Sequence, residues 1–165
     1  MRLTAIIAAA AFSLAACGAD KSGTFDNGEG GEGTYDIDQD SENMTATFSD
    51  GKGGEMTMNT GEGVTATFPA GFSLYPGAKV SASATMSQGE GEGQMIGIDS
   101  DASMAKLVEF YKGQALDAGY QIEGEMNVGK MQMLNAKKDD GSGVSVQVME
   151  MDEERQVRLM FFKDM

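Results

Sequence analysis

The chain has 165 residues and a formal net charge of −14, and it contains no histidine and one cysteine, Cys17. The missing histidine excludes Ser-His and Cys-His catalysis, and it excludes zinc sites that use histidine ligands. The acidic excess argues against nucleic-acid binding, which needs clustered Lys and Arg against the phosphates. We therefore expect a protein that is not an enzyme, with no cofactor and no nucleic-acid partner.

The N-terminus has the pattern of a secretory signal. Arg2 precedes an apolar run from Leu3 to Ala16, which is shorter than the roughly 20 residues that a membrane-spanning helix needs. The run ends in Leu-Ala-Ala directly before Cys17. This ending resembles the bacterial lipobox, in which the cysteine receives a diacylglycerol and the signal is then removed. We predict a signal peptide at 1–16 and lipidation of Cys17, which would tie the chain to a membrane.

The residue after the cysteine bears on the location of the anchored protein. In lipoproteins of Gram-negative bacteria, Asp at that position resembles a signal for retention in the inner membrane, and here the residue is Gly18. We therefore expect a lipid-anchored protein of the cell envelope, on the outer membrane and facing the periplasm. The inner membrane stays open as the alternative.

The segment 17–33 is rich in Gly and polar residues and has no periodicity, which is typical of a flexible linker. From 34 to 70, apolar residues alternate with Thr and are interrupted by Gly-rich breaks, which predicts a small β-meander of four strands. The second and fourth predicted strands are a local repeat, because Met44–Phe48 and Val64–Phe68 differ only in their first residue. A sheet this small is marginal alone and should pack on another segment or on a partner.

The remaining segment, 71–165, predicts two strands, a helix and four further strands. Apolar residues at helical spacing place the helix at about 102–118, with Ser100 or Asp101 as its N-cap and Gly119 just after its end. The four later strands are expected at 120–127, 130–137, 143–151 and 155–163. The predicted fold class is α+β, with one helix packed on an antiparallel sheet (strand-strand-helix-four strands) and preceded by the small β-meander.

The stretch Phe68–Val80, with Tyr75-Pro76-Gly77-Ala78 at its centre, resembles a segment of uncharacterised secreted or lipid-anchored bacterial proteins. In those proteins a YPGA turn opens a strand, and a helix follows that carries Phe-Tyr and ends in Gly plus an aromatic residue. The matching residues here are Asp101 at the start of the helix pattern, Phe110-Tyr111 and Gly119-Tyr120. The resemblance implies a domain covering about 68–165 and no particular activity.

Three Met-x-Met pairs suggest a second function. Residues i and i+2 of a strand point the same way, so each pair offers two thioethers to a soft ion such as Cu(I) or Ag(I). The other reading is that methionine fills the core of a chain that has no tryptophan. The pairs are Met56/Met58, Met131/Met133 and Met149/Met151.

An acidic pattern, Asp36-x-Asp38-x-Asp40-x-Glu42, resembles the start of a calcium loop. An EF-hand needs Gly at its sixth position and Glu at its twelfth, and Ser41 and Thr47 stand there instead. We expect an acidic strand edge and no metal site at these residues.

The function that the sequence favours is a non-catalytic, lipid-anchored binding or structural module of the cell envelope, in contact with another envelope protein. The alternative is a lipoprotein that binds Cu(I) or a small ligand.

Overall fold

The computed structural model describes residues 21–26, 32–39, 43–151 and 154–163. Within these ranges the chain forms ten β-strands and one α-helix. In chain order they are β1 Lys21–Asp26, β2 Glu32–Gln39, β3 Asn43–Ser49, β4 Glu55–Gly61, β5 Lys79–Gln88, β6 Gly91–Ser100, α1 Met104–Asp117, β7 Gln121–Val128, β8 Met131–Lys137, β9 Gly143–Met151 and β10 Glu154–Lys163.

All ten strands belong to one antiparallel sheet with the order β1-β2-β3-β4-β5-β6-β10-β9-β8-β7. Every pair of adjacent strands in the sheet is also consecutive in the sequence, except for the pair of β6 with the last strand, β10. Helix α1 connects β6 to β7 and lies on one side of the sheet against β7, β8 and β9. We call that side the helix face and the opposite side the open face.

The core lies between α1 and the C-terminal half of the sheet, on the helix face. The strands contribute fully buried aliphatic side chains, among them Ile96, Leu134 and Val146. Helix α1 contributes Leu107, Tyr111 and Ala115, which are spaced four residues apart and are all fully buried. These residues belong to the apolar stripe that predicts the helix, and their burial against the aliphatic residues of the strands is favourable to folding.

The N-terminal half of the sheet, β1 to β5, has a different helix face. No part of α1 covers it, and its side chains are mainly hydroxyls, amides and carboxylates. The hydroxyl of Thr45 donates to Asn59 Oδ1 at 2.8 Å, and the hydroxyls of Thr47 and Thr57 lie 3.4 Å apart. Cross-strand polar pairs of this kind each contribute a few tenths of a kcal/mol, up to about 1 kcal/mol.

The predicted fold class is wrong. A separate meander preceding an α+β domain would end at about residue 70, whereas β4 pairs with β5 from Glu55 to Thr60. The two segments therefore form one continuous ten-stranded sheet, and the protein is mostly sheet with a single short helix. Alternating hydrophobicity identifies residues that lie in strands, but it carries no information on which strand edges pair.

The fourth strand of the predicted meander is also absent. Residues 64–68 form irregular backbone in the structure, despite their likeness to Met44–Phe48 in β3. Gly61 and Gly63 have positive φ angles of 128° and 79°, which turn the chain away from the sheet. Ala66 and Phe68 pack against the core from this irregular segment.

The helix agrees with its prediction in position, Met104–Asp117 against 102–118, but not at its start. The N-cap is Ser103, and its side chain makes no capping hydrogen bond. Ser100 Oγ accepts instead from the backbone N–H of Ala102, at 3.2 Å, in the turn before the helix. At the other end, Gly119 has φ of 87°, and its N–H donates to Leu116 O. This is the left-handed ending predicted for Gly119.

Strand β1 lies within the range 17–33 for which a flexible linker was expected. Its residues pair with β2 from Lys21↔Ile37 to Asp26↔Glu32. The signal peptide at 1–16 and Cys17 lie outside the described residues, so both stay predictions. Among the residues that are described, no helix is long and apolar enough to cross a membrane.

Candidate functional site

A cleft of about 520 Å³ opens on the helix face at one end of the sheet. Its floor is a row of residues that sit side by side on four neighbouring strands, β4, β5, β6 and β10. The register places Thr57 opposite Thr85, Thr85 opposite Gln94, and Gln94 opposite Phe161. The row thus begins with hydroxyls in the N-terminal half of the sheet and ends with an aromatic ring in the C-terminal half.

The aromatic wall of the cleft depends on the loop between β4 and β5. Phe72, in this loop, is buried and meets the ring of Phe161 edge-on, with 4.8 Å between centroids. It meets Tyr120 in the same way at 6.0 Å. Phe161, Tyr120 and Phe68 line the cleft, so Phe72 supports two of its walls from behind.

Gly71 permits the turn that brings Phe72 inward. Its φ is 90°, a conformation that side chains with a Cβ rarely adopt. A Cβ at this position would also lie 2.7 Å from the Cβ of Ala118 at the end of α1. The close approach of loop and helix therefore requires glycine here for two independent reasons.

Three hydrogen bonds, from strand β6 and helix α1, hold the loop in place. Gln94 Nε2 donates to the carbonyl oxygen of Thr67 at 2.7 Å. Gln114, on α1, donates to Ser73 Oγ at 2.7 Å, and its own amide oxygen accepts from the backbone N–H of Ser73 at 3.1 Å. The cleft is therefore bounded by a loop with fixed contacts, which favours a preformed site over one that closes on binding.

A fourth bond joins the loop to the core. The backbone N–H of Tyr75 donates to the hydroxyl of Tyr111 at 3.3 Å. Burial raises the pKa of Tyr111 to about 12, and the bond from Tyr75 acts in the opposite direction. Tyr111 is therefore neutral at physiological pH and anchors the loop without introducing a charge.

Charged residues lie around the mouth of the cleft, where it opens to solvent. Glu55, Glu92 and Lys163 are lining residues, so two carboxylates face one ammonium group. Behind Tyr120, Lys138 Nζ lies 4.4 Å from the centre of the ring. Burial raises the pKa of Tyr120, and the negative charge of Asp140 raises it further.

The geometry is suited to binding. Aromatic and apolar surfaces can bury the body of a small molecule, and the hydroxyls of Thr57 and Thr85 can donate or accept hydrogen bonds. Ligand sites commonly measure 300–1,000 Å³ and combine apolar walls with a few polar groups, and this cleft fits that description. The excess of carboxylates at the mouth favours a neutral or cationic group at the outer end of the ligand.

The methionines of the described strands lie on the open face of the sheet. Every methionine that lies in a described strand has its side chain on this face, as the strand registers show. None of these methionines belongs to the buried core of the described residues, so the core-filling interpretation of the Met-x-Met pairs is wrong. They are Met44, Met56, Met58, Met86, Met95, Met126, Met131, Met133, Met149, Met151 and Met160.

The structure brings two of the three Met-x-Met pairs together. Met131 on β8 lies directly opposite Met149 on β9, so the second and third pairs are adjacent. The first pair, Met56/Met58 on β4, lies in the other half of the sheet and faces Met86 and Ala84 of β5. Sequence spacing identified the pairs, but only the strand register shows which of them meet.

The acidic pattern forms no metal site in the described residues. Asp36 and Asp38 lie on β2 with their side chains on the helix face, while Asp40 and Glu42 lie outside the described ranges. No group of three or more Asp, Glu, Cys or His within those ranges could hold a metal ion.

Sequence reasoning missed the cleft because its residues come from five separate segments. Thr57, Thr85, Gln94, Tyr120 and Phe161 share no motif and no spacing. Only the strand order, with β10 between β6 and β9, puts them at one end of the sheet. The single available signal was the loop at 69–76, where two prolines flank an aromatic-rich stretch that is too apolar for a plain connection.

Comparison with known proteins gives one match. A family model described as START domain-like matches residues 80–156, from β5 into β10. Comparisons with curated proteins and with solved structures give none. The matched segment contains α1, β6 to β9 and the start of β10, and it leaves out Thr57 and Phe161 at the two ends of the cleft floor. This segment is similar to a family that indicates a ligand-binding module.

Proposed function

We propose that this protein is a non-catalytic, lipid-anchored module of the bacterial cell envelope that binds a small ligand in the cleft on its helix face. The cleft carries the proposal, because it joins apolar walls to a floor with threonine hydroxyls. Part of its lining, including Thr85, Gln94 and Tyr120, lies in the segment that matches the START domain-like model. The ligand class is a small molecule with an apolar body and a neutral or cationic polar end.

The charge of the lining residues supports this choice of ligand. Glu55 and Glu92 stand at the mouth against Lys163, and the whole chain carries a net charge of −14. Both would disfavour an anionic ligand such as a free fatty acid or a phosphate ester. A neutral end group would hydrogen-bond to the threonine hydroxyls, and a cationic one would also be attracted by the carboxylates.

Titration with a neutral apolar dye, N-phenyl-1-naphthylamine, tests the cleft. The dye fluoresces when it leaves water, so we expect saturable binding to the wild type. Thr85→Trp fills the floor of the cleft with an indole, and we expect the affinity to fall by about tenfold or more. Thr85 is exposed, so the larger side chain can be placed without disturbing the core.

Thr34→Trp is the matched control. Thr34 is an exposed threonine on the same face, on β2, and it does not line the cleft. This variant should bind the dye as the wild type does. Equal binding by all three proteins would place the dye on another surface, such as the open face, and would contradict the cleft as the binding site.

Cys17 supplies the anchor in this proposal. Cys17 lies four residues before Lys21, where β1 begins, so the tether spans at most about 14 Å at 3.3–3.6 Å per residue. A ligand in the cleft would thus be held close to the membrane surface or to an envelope protein beside it. Cys17→Ala should move the protein from the membrane fraction to the soluble fraction, and unchanged fractionation would contradict the anchor.

A further inference from the structure

Four methionines of the open face occupy neighbouring positions on three adjacent strands. Met126 on β7 lies opposite Met133 on β8, and Met131 on β8 lies opposite Met149 on β9. Met131 and Met133 are two residues apart on the middle strand and point the same way. The four side chains therefore form two directly opposed pairs that share one strand.

The spacing of this methionine cluster, Met126, Met131, Met133 and Met149, suits a shared ion. Cβ atoms of directly opposed residues in an antiparallel sheet are about 4.5–5.5 Å apart, and residues i and i+2 are about 7 Å apart. A methionine side chain has three rotatable bonds beyond its backbone. Met126 and Met149 lie two strand spacings apart, about 10 Å, so they cannot both bind the same ion. Met131 and Met133, together with either of these outer methionines, can place three sulfur atoms around one point above β8 with no movement of the backbone.

The side chains of the cluster are accessible to solvent, and one of them is held by a hydrogen bond. Met126 is 52% exposed, and the other three are half-buried, so an ion can reach the sulfur atoms. Gln147, between the two pairs on β9, donates from Nε2 to the sulfur of Met131 at 3.1 Å. This bond orients the thioether and leaves the sulfur a second lone pair for a metal.

We propose that Met126, Met131, Met133 and Met149 form a binding site for a soft monovalent ion, Cu(I) or Ag(I). Neutral thioethers are soft ligands that select such ions over zinc, calcium or magnesium. The chain has no histidine, and Cys17 is its only thiol, so the thioethers meet little competition from stronger soft ligands once Cys17 is lipidated. The site lies on the face opposite the cleft and does not depend on the small-ligand proposal.

The other methionine-rich part of the open face fits an ion less well. On β4 and β5, Met56 and Met86 form the only opposed pair, because Met58 faces Ala46 and Ala84. Phe48 stands on the other side of Met56 and occupies a position where a further sulfur would be needed. This group therefore provides a natural comparison on the same face of the same sheet.

The test is a competition titration of Cu(I) against bicinchoninate, with the full chain carrying Cys17→Ala so that no thiol contributes. We expect one ion bound per chain, tighter than micromolar. Changing all four cluster residues to Leu removes the sulfur atoms while conserving volume, and we expect the affinity to fall by roughly 100-fold or more. Circular dichroism spectra that match the parent chain establish that this variant is folded.

The matched control replaces Met44, Met56, Met58 and Met86 with Leu and should keep the tight site. Loss of binding in both variants, retention in the cluster variant, or no binding tighter than micromolar in the parent chain would each overturn the proposal. Addition of Ag(I) should shift the methyl resonances of the four cluster methionines ahead of the others.

The pH dependence distinguishes thioethers from carboxylates. A thioether has no proton to lose, so the affinity should be unchanged between about pH 7 and pH 4. A site that used the acidic residues of the chain would weaken over this interval as the carboxylates gain protons, and such weakening would contradict the proposed ligand set.

Discussion

The two halves of the sheet are built from the same alternating pattern but differ in what covers them. In both halves, the side chains on the open face are rich in methionine. On the helix face, the C-terminal half has aliphatic side chains such as Val146 and Leu159 that are fully buried, whereas the N-terminal half has Thr45, Thr47 and Thr57. The residues on the helix face of each strand therefore determine whether a second layer can pack on the sheet.

This difference predicts an uneven distribution of stability. The buried core cluster has members on β6, α1, β8, β9 and β10, together with Phe72 and Tyr120 from connecting segments, and it has none on the described strands β1 to β5. The N-terminal half is then stabilised mainly by its backbone ladder and by cross-strand pairs, which is a weaker arrangement.

The largest expected effect comes from truncating one apolar side chain in each half. Leu134→Ala removes a fully buried side chain from β8 and should lower the free energy of unfolding by about 2–5 kcal/mol. Met58→Ala removes a half-buried side chain from β4 and should cost about 1 kcal/mol or less, because most of the space it leaves is filled by water. Urea denaturation followed by circular dichroism measures both.

Equal losses in the two variants would show that the halves form one energetic unit, and the comparison would fail. Leu134→Met is a suitable control, because it conserves volume and should cost less than about 1.5 kcal/mol.

The second effect is a loss of stability at high pH that arises in the C-terminal half. Burial raises the pKa of Tyr111 to about 12 from an ordinary value of 10.0. A group whose pKa is raised on folding contributes stability below its unfolded pKa, and this is lost as the pH rises through the folded value. We therefore expect the free energy of unfolding to fall by about 2–3 kcal/mol between pH 10 and pH 12.

Tyr111→Phe isolates this contribution. The variant loses the hydroxyl that accepts from Tyr75 N–H, at a cost of about 1 kcal/mol at neutral pH. The free energy of unfolding of the variant should then fall less steeply above pH 10 than that of the wild type. The decline that remains in the variant is due in part to Tyr120, whose pKa is also raised. Parallel curves for the two proteins would mean that Tyr111 does not titrate in this range.

The smallest effect concerns the polar face of the N-terminal half. Thr45→Val removes the hydroxyl that donates to Asn59 and keeps the shape of the side chain. A double-mutant cycle with Asn59→Ala should give a coupling energy of about 0.2–1 kcal/mol. A coupling above this range would indicate that the threonine ladder holds the N-terminal half more firmly than its lack of a second layer suggests.

Local patterns in the sequence identified the secondary structure well. The helix, its left-handed end at Gly119 and the four strands after it follow from periodicity and turn residues, which are local properties. The run at 64–68 alternates in the same way but forms no strand, because Gly61 and Gly63, with positive φ angles, turn the chain out of the sheet. Alternating residues show that a segment can form a strand, but the residues that flank it determine whether it joins the sheet.

The candidate sites could be predicted only in part. The Met-x-Met pairs were visible in the sequence, but the pairing of Met131 with Met149 depends on the register between β8 and β9. The cleft was not visible at all, because the row from Thr57 to Phe161 exists only once β10 has inserted between β6 and β9. Both sites are products of strand order, which the sequence does not encode in any local signal.

The pairing of β10 with β6 also sets an order of events during folding. Each other pair of described strands is joined by a connection within its own hairpin or loop, whereas β6 and β10 are separated by the helix and three strands. Closing so long a loop carries the largest entropic cost in the molecule, and contacts between distant residues slow folding. We therefore expect the core to be completed late in folding, when β10 pairs with β6 and brings Leu159 and Val157 beside Ile96 and Ile98.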